Sequence, residues 1–146
     1  MSKPPLFILP IVIDTREQFP YSFDRPCVVK TLKSGDYSVL GFEDEIAVER
    51  KTKQDAYQSL GQGRERFERE FERLAELKFA AVVIEANIPD FMEQPPFTKM
   101  DPHAAINSLI SWMVKYKVCV IWAGDRLHGS AMTFRILEKF WRSLQT

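Results

Sequence analysis

The chain has 146 residues, 45% hydrophobic and 12% aromatic, enough for one domain with a buried core and too ordered a composition for intrinsic disorder. Lys and Arg total 20 and Asp and Glu total 20, so a general polycationic coat is excluded and any DNA contact must come from local clusters. The longest apolar stretches, such as Val118 to Ala123, are far too short to span a bilayer.

Leu6 to Ile13 is a continuous apolar run ended by charge, and predicts a buried strand with Asp14 at its tip. The opening from Met1 reads poorly as a signal peptide, because Asp14-Thr15-Arg16-Glu17 stands where a small-residue cleavage site belongs. Val28 to Leu32, Tyr37 to Leu40 and Ile46 to Lys51 predict three short strands, punctuated by Gly35-Asp36 and Gly41. Thr52-Lys53-Gln54-Asp55 has the pattern of a capping box and opens a helix that pauses at Gly61-Gln62-Gly63. The next helix, Arg64 to Lys78, lines up Phe67, Phe71, Leu74 and Leu77 on one face. Phe79 to Ala86 predicts another buried strand, and Asn87 to Met100, with three prolines, a long loop. Asp101-Pro102 starts a helix with Ile106, Leu109, Ile110 and Met113 as its inward stripe. Val118 to Trp122 is the last buried strand, and Ser130 caps a C-terminal helix carrying Phe134, Leu137, Trp141 and Leu144. A strand-rich first third followed by alternating helices and strands is α/β, a central mixed sheet flanked by helices. Cys27 and Cys119 lie in apolar runs and are expected to be buried thiols of an intracellular, cytoplasmic domain.

The sharpest chemical signal is Val48-Glu49-Arg50-Lys51. On a strand, Glu49 and Lys51 project to one face and Val48 and Arg50 to the other. An acid and an amine on one face, joined by a second acid from a turn, suit a hydrolytic site with a hard divalent cation. Asp36 is the obvious second carboxylate, since the intervening hairpin returns Glu49 alongside it, and Asp14 is a third candidate. His103 and His128 lack partners at zinc-ligand spacing.

In chain order the sequence reads Asp14-Thr15-Arg16-Glu17, Gly35-Asp36, Glu49-Arg50-Lys51 with Asp55 four residues on, then Gly63-Arg64. This run resembles the nuclease domain of the XPF-type (ERCC4-domain) structure-specific endonucleases, whose signature is GDx(n)ERKxxxD, within the PD-(D/E)xK restriction-like nucleases. The resemblance implies a restriction-endonuclease-like fold over residues 1–146, without the helix-hairpin-helix module or helicase domain of many relatives. It also implies Mg²⁺ (with Mn²⁺ able to substitute) on Asp36 and Glu49, with the Arg50 carbonyl as a further ligand; Asp14, expected from its place at the strand tip as a third metal-holding acid, matches the segment lining the same site. Lys51 matches the lysine that orients or activates water. Arg16, Glu17, Asp55 and Arg64 match polar residues lining the site. The implied substrate is branched or flapped DNA in repair or recombination. Relatives often carry Gln at the place of Glu68.

Other readings of the same residues stay open. Asp55 also serves as the acid of the Thr52 capping box, Arg16 and Glu17 as a solvated ion pair, and Arg64 as the flank of a glycine turn. Arg66, Arg69 and Arg73 fall on one flank of their helix, with Glu65, Glu68, Glu72 and Glu76 on the other. That basic flank, with Arg50, Lys53 and Arg64, is the expected DNA contact; alternating charge equally describes a solvated face. Phe91, Met92, Phe97 and Met100 either pin the long loop to the core or meet unstacked bases. Beside the endonuclease stand a catalytically silent DNA-binding or dimerisation partner and a sequence-specific restriction-type enzyme. The C-terminal helix is apolar over much of its circumference, with Met132, Ile136 and Phe140 outside its main stripe. It is therefore expected to form a homodimer contact, extended by Trp112 and Tyr116.

Overall fold

The structure, a computed structural model, describes residues 5–145; Met1 to Pro4 of the opening segment and Thr146 lie outside the described residues. In chain order the elements are β1 (Ile11–Ile13), β2 (Cys27–Val29), β3 (Tyr37–Val39), β4 (Ile46–Thr52), α1 (Lys53–Leu60), α2 (Arg64–Leu74) and β5 (Phe79–Glu85). They are followed by α3 (Ile88–Phe91), α4 (Pro102–Tyr116), β6 (Cys119–Trp122) and α5 (Arg126–Ser143). The strands form one mixed sheet of order β2-β1-β3-β4-β5-β6. β3 runs antiparallel to β1 and β4, whereas β4, β5 and β6 are mutually parallel. Among the described residues no helix is long and apolar enough to cross a membrane.

The period-two alternation of strands sorts the core into two layers. Ala47, Val82 and Ile84 point to the side covered by α1, α2 and α4, where they meet Tyr57, Phe67, Phe71 and Leu109. Ile46, Val48 and Val83 point to the other side, beneath Leu137 and Trp141 of α5. The catalytic-strand candidate β4 thus lies deep in the sheet with a helical layer on each face.

Several sequence expectations shift. Only the end of Leu6 to Ile13 is strand; Leu6 and Ile8 are exposed, and Pro10, which has no N–H, separates them from β1. Cys27 and Cys119 are exposed, not buried, because β2 and β6 are the two edges of the sheet. The long loop contains α3, capped by the Asn87 side chain. On α4 the buried positions are Ala105, Leu109 and Trp112, while Ile110 is 44% exposed. The helix turns this way because Trp112 packs against Phe67 and Phe71 of α2, with ring centroids 5.6 and 5.4 Å apart. α5 starts at Arg126 and is capped by Asp125, which accepts the His128 amide at 2.8 Å; Ser130 lies inside the helix. Gly129, inside α5, is a packing glycine: a Cβ there would come within 2.5 Å of the Tyr21 hydroxyl oxygen.

Candidate active site

The hairpin from β3 to β4 builds the first part of the site. Gly35 sits at φ +75°, and a Cβ there would fall 2.8 Å from that of Ala47, so the turn requires glycine. The turn lays Asp36 against β4: its amide donates to the Val48 carbonyl at 2.9 Å and its Oδ2 accepts the Arg50 amide at 2.7 Å. Glu49 and Lys51 then emerge on the α1/α2 side, as strand alternation requires. Asp36, Glu49, Asp14, Arg16, Glu70 and Arg73 share a small cleft of about 190 Å³.

Two of these acids sit under strong electrostatic pressure. Burial, then the nearby Glu17 carboxylate, pushes Asp36 up to about 7 against the opposing pull of the Arg50 amide and Lys51. Burial, followed by repulsion from Asp36 and Glu70, holds Glu49 well above the usual carboxylate range. Glu49 is only 8% exposed, and its nearest cation is Lys51, 4.0 Å away. A cluster of this kind has unmet demand for positive charge.

Glu70 is the site residue that sequence reading missed. It stands on α2, its Oε2 is buried without a hydrogen-bond partner, and it lies 4.0 Å from Lys51 Nζ. The available signal was its spacing: three residues after Phe67 and four before Leu74, it falls on the inward stripe rather than on either charged flank. Lys51 Nζ also donates to Ser59 Oγ on α1 at 3.0 Å and lies 4.7 Å from the Phe67 ring centre.

Asp14 is differently employed from the cation ligand expected of it. Its Oδ2 accepts from the Arg16 amide and Nε, and its Oδ1 accepts the Leu32 amide at 2.8 Å and Arg16 Nη2 at 3.2 Å. Burial works to raise its pKa, but Arg16 and these amides outweigh that and hold it below the ordinary range. Asp14 therefore clamps the segment leading to the Gly35-Asp36 turn, with Arg16 completing the clamp on the Leu32 carbonyl.

Arg50 is likewise corrected as a DNA contact. Its guanidinium leaves through the opposite face of the sheet, where Nε pairs with Glu85 at 2.7 Å and Nη1 donates to the Phe19 carbonyl at 2.6 Å. Tyr21 donates to Glu85 and stacks on Tyr37, which in turn donates to Glu17 at 2.7 Å. Glu17 thus joins this network, 3.5 Å from Arg50 Nη1, rather than the cleft itself. The network anchors the strand whose Arg50 amide holds Asp36.

The remaining candidates divide. Lys53 is tied to the Asp90 carbonyl at 2.6 Å, which removes it from the list of free cations. The Asp55 amide donates to Thr52 Oγ1 at 3.0 Å, so the helix-capping reading holds, while its exposed side chain borders the wider cleft beside Lys51. Arg64 is exposed and stacks over Trp112 at 4.9 Å. Arg66 and Arg69 are exposed on a shallow surface with Arg64, and Arg73 borders the carboxylate cleft. Glu68 accepts from Tyr116 and Lys115, and so faces α4.

Residues 13–136 match the ERCC4 domain family, and the chain belongs to that family. XPF from Aeropyrum pernix has a similar structure, with a TM-score of 0.72 and 22% identity. XPF from Aeropyrum pernix in complex with DNA gives 0.70 and 23%. Each comparison covers 92% of this chain and 66% of the other, so the chain spans slightly under two thirds of those structures. The mixed sheet flanked by helices is therefore the fold of that nuclease domain. Comparison with curated proteins gave no match.

Proposed function

We propose that the chain hydrolyses DNA phosphodiester bonds as a divalent-metal-dependent endonuclease, with branched or flapped DNA as its preferred substrate. The observation that carries this reading is the cleft shared by Asp36 and Glu49, with Lys51 on the same face of β4 bringing its ammonium to 4.0 Å from Glu49. Membership of the ERCC4 domain family and the DNA complex of a structural relative support it.

The residues present fit a hard cation. Among the described residues no group of three or more His, Cys, Asp or Glu side chains is placed to hold a metal ion by itself. Mg²⁺ needs none: one or two carboxylates, water and substrate phosphate are its usual partners. Asp36 and Glu49, with the Arg50 carbonyl, would hold it, and the buried acids lack the positive charge it brings. When bound, such an ion neutralises the phosphate and acidifies the attacking water. Lys51 supplies an N–H toward charge developing on the phosphate. Arg66, Arg69 and Arg73 offer a row of cations to the DNA backbone, and Arg64 stands at the turn between α1 and α2.

A cleavage assay on linear, flapped, forked and four-way DNA, with Mg²⁺, Mn²⁺ or chelator, tests the reading. Cutting that prefers branched DNA and stops with chelator supports it; equal cutting at one sequence in any DNA favours the restriction-type enzyme. Binding without cutting favours the silent partner. Binding is expected to fall steeply with salt, and Arg69→Ala to weaken it about equally on every substrate, reducing the salt slope by about 1. An Arg69→Ala protein with unchanged affinity would remove the basic flank from the interface.

Pairing of two copies through the C-terminal helices completes the proposal. Met132, Phe134, Ile136 and Phe140 of α5 are only partly buried and can be covered by a partner. Trp112 does not extend that patch, being 5% exposed and packed on α2. Trp141 packs on Phe7 and belongs to the core, so substituting it would test folding rather than pairing. Sedimentation is expected to show a dimer at micromolar concentration, and Ile136→Glu or Phe140→Glu a folded monomer. A wild-type monomer at every concentration ends the idea.

A further inference from the structure

A lysine on a strand reaches its target through four rotatable bonds and loses rotamer entropy when fixed. In this chain the fixing groups come from the two helices after β4. Ser59, in the last turn of α1, accepts from Lys51 Nζ at 3.0 Å. Glu70, on α2, lies 4.0 Å from the same nitrogen, equal to the distance to Glu49. The buried Phe67 ring supports the ammonium at 4.7 Å. Neither carboxylate is at contact distance, so the ammonium stands off two acids that share one cleft instead of collapsing on either. Glu70 Oε2 is buried without a donor, and its carboxylate neighbour is Glu49, so Lys51 faces both acids at once.

We propose that Ser59 and Glu70 are positioning residues that hold the Lys51 ammonium off Glu49, leaving an N–H available to the substrate. The inference rests on the nuclease reading above and adds two residues to it. Ser59 fixes the direction of one N–H. Glu70 balances Glu49, and without it Lys51 closes onto Glu49, forming a contact pair that ties up both groups. The defect then lies in turnover, not in DNA affinity, because neither residue lies on the basic flank.

The test uses the whole chain, steady-state cleavage of flapped DNA with Mg²⁺, and nitrogen-15 NMR of the lysine ammonium groups, with Lys51→Ala assigning the signal. Ser59→Ala and Glu70→Gln are each expected to lower kcat about 10-fold with KM near wild type. Ser59→Thr, which keeps the hydroxyl, restores most of the rate. The Lys51 ammonium signal should be sharp in wild type, broadened or lost in Ser59→Ala, recovered in Ser59→Thr and shifted in Glu70→Gln. Wild-type kcat in both variants, or an unmoved Lys51 signal, overturns the inference, as does a loss explained wholly by a smaller folded fraction. A wild-type protein that cuts no DNA defeats the nuclease reading, while the NMR arm still decides whether Ser59 and Glu70 hold the lysine.

Discussion

Glu49→Gln and Lys51→Ala are each expected to lower cleavage by roughly a thousandfold or more, while circular dichroism and melting show a folded domain. Glu49 is buried beside Asp36 and Glu70, so its negative charge costs the apo protein stability and serves the bound state. Glutamine keeps the shape and removes the charge. Its apo melting temperature should therefore equal or exceed that of wild type, an outcome opposite to that of an ordinary core substitution. Lys51→Ala removes the ammonium 4.0 Å from Glu49 and leaves Glu49 and Glu70 unbalanced, so its melting temperature should fall modestly. Single-turnover cleavage with saturating Mg²⁺ separates these effects from DNA binding. Either variant cutting within tenfold of wild type would remove that residue from the chemistry and leave the silent-partner reading stronger.

How much of this was legible in the sequence depends on the range of the interactions involved. The face shared by Glu49 and Lys51 follows from strand alternation, and the approach of Asp36 follows from a glycine turn between two short strands. Both are local, and both are present. The fates of Asp14, Arg50 and Lys53 were set by partners at Leu32, Glu85 and Asp90, far along the chain, and no spacing rule reports them. A charged residue near a motif is easily read as functional when its actual work is holding the motif in place. The inward stripe of α4 failed for a related reason: Trp112 prefers the aromatic surface of α2, and that preference exists only after folding. Glu70 lay on an apolar stripe, where a lone acid is either a misfit or part of a site. Its position relative to Phe67 and Leu74 was the available clue.

Asp36 gives a pH signature opposite to that of a salt-bridged carboxylate. Its folded-state pKa is raised from 3.8 to about 7, by burial first and Glu17 second. Between about pH 4 and pH 7 the folded protein therefore keeps a proton that the unfolded chain has released. Its contribution is most favourable below pH 4, is lost progressively up to about 7, and is constant above that. Asp36→Asn removes this titration and still offers an amide oxygen to the Arg50 N–H. The stability difference, wild type minus Asp36→Asn, is thus expected to fall across that window by an amount on the order of a few kcal/mol. Denaturant unfolding at pH steps from 4 to 8 measures it. Because Glu17 and Glu70 also raise Asp36, Glu70→Gln should move the end of the window to lower pH. Millimolar Mg²⁺ or Mn²⁺ should do the same, since a cation on the acids competes with the proton, and a chelator should restore the original curve. A difference curve that stays flat from pH 4 to 8 would mean that Asp36 is an ordinary ionised carboxylate, already compensated by Lys51 and the Arg50 amide. The two acids would then have no unmet charge for a cation to satisfy.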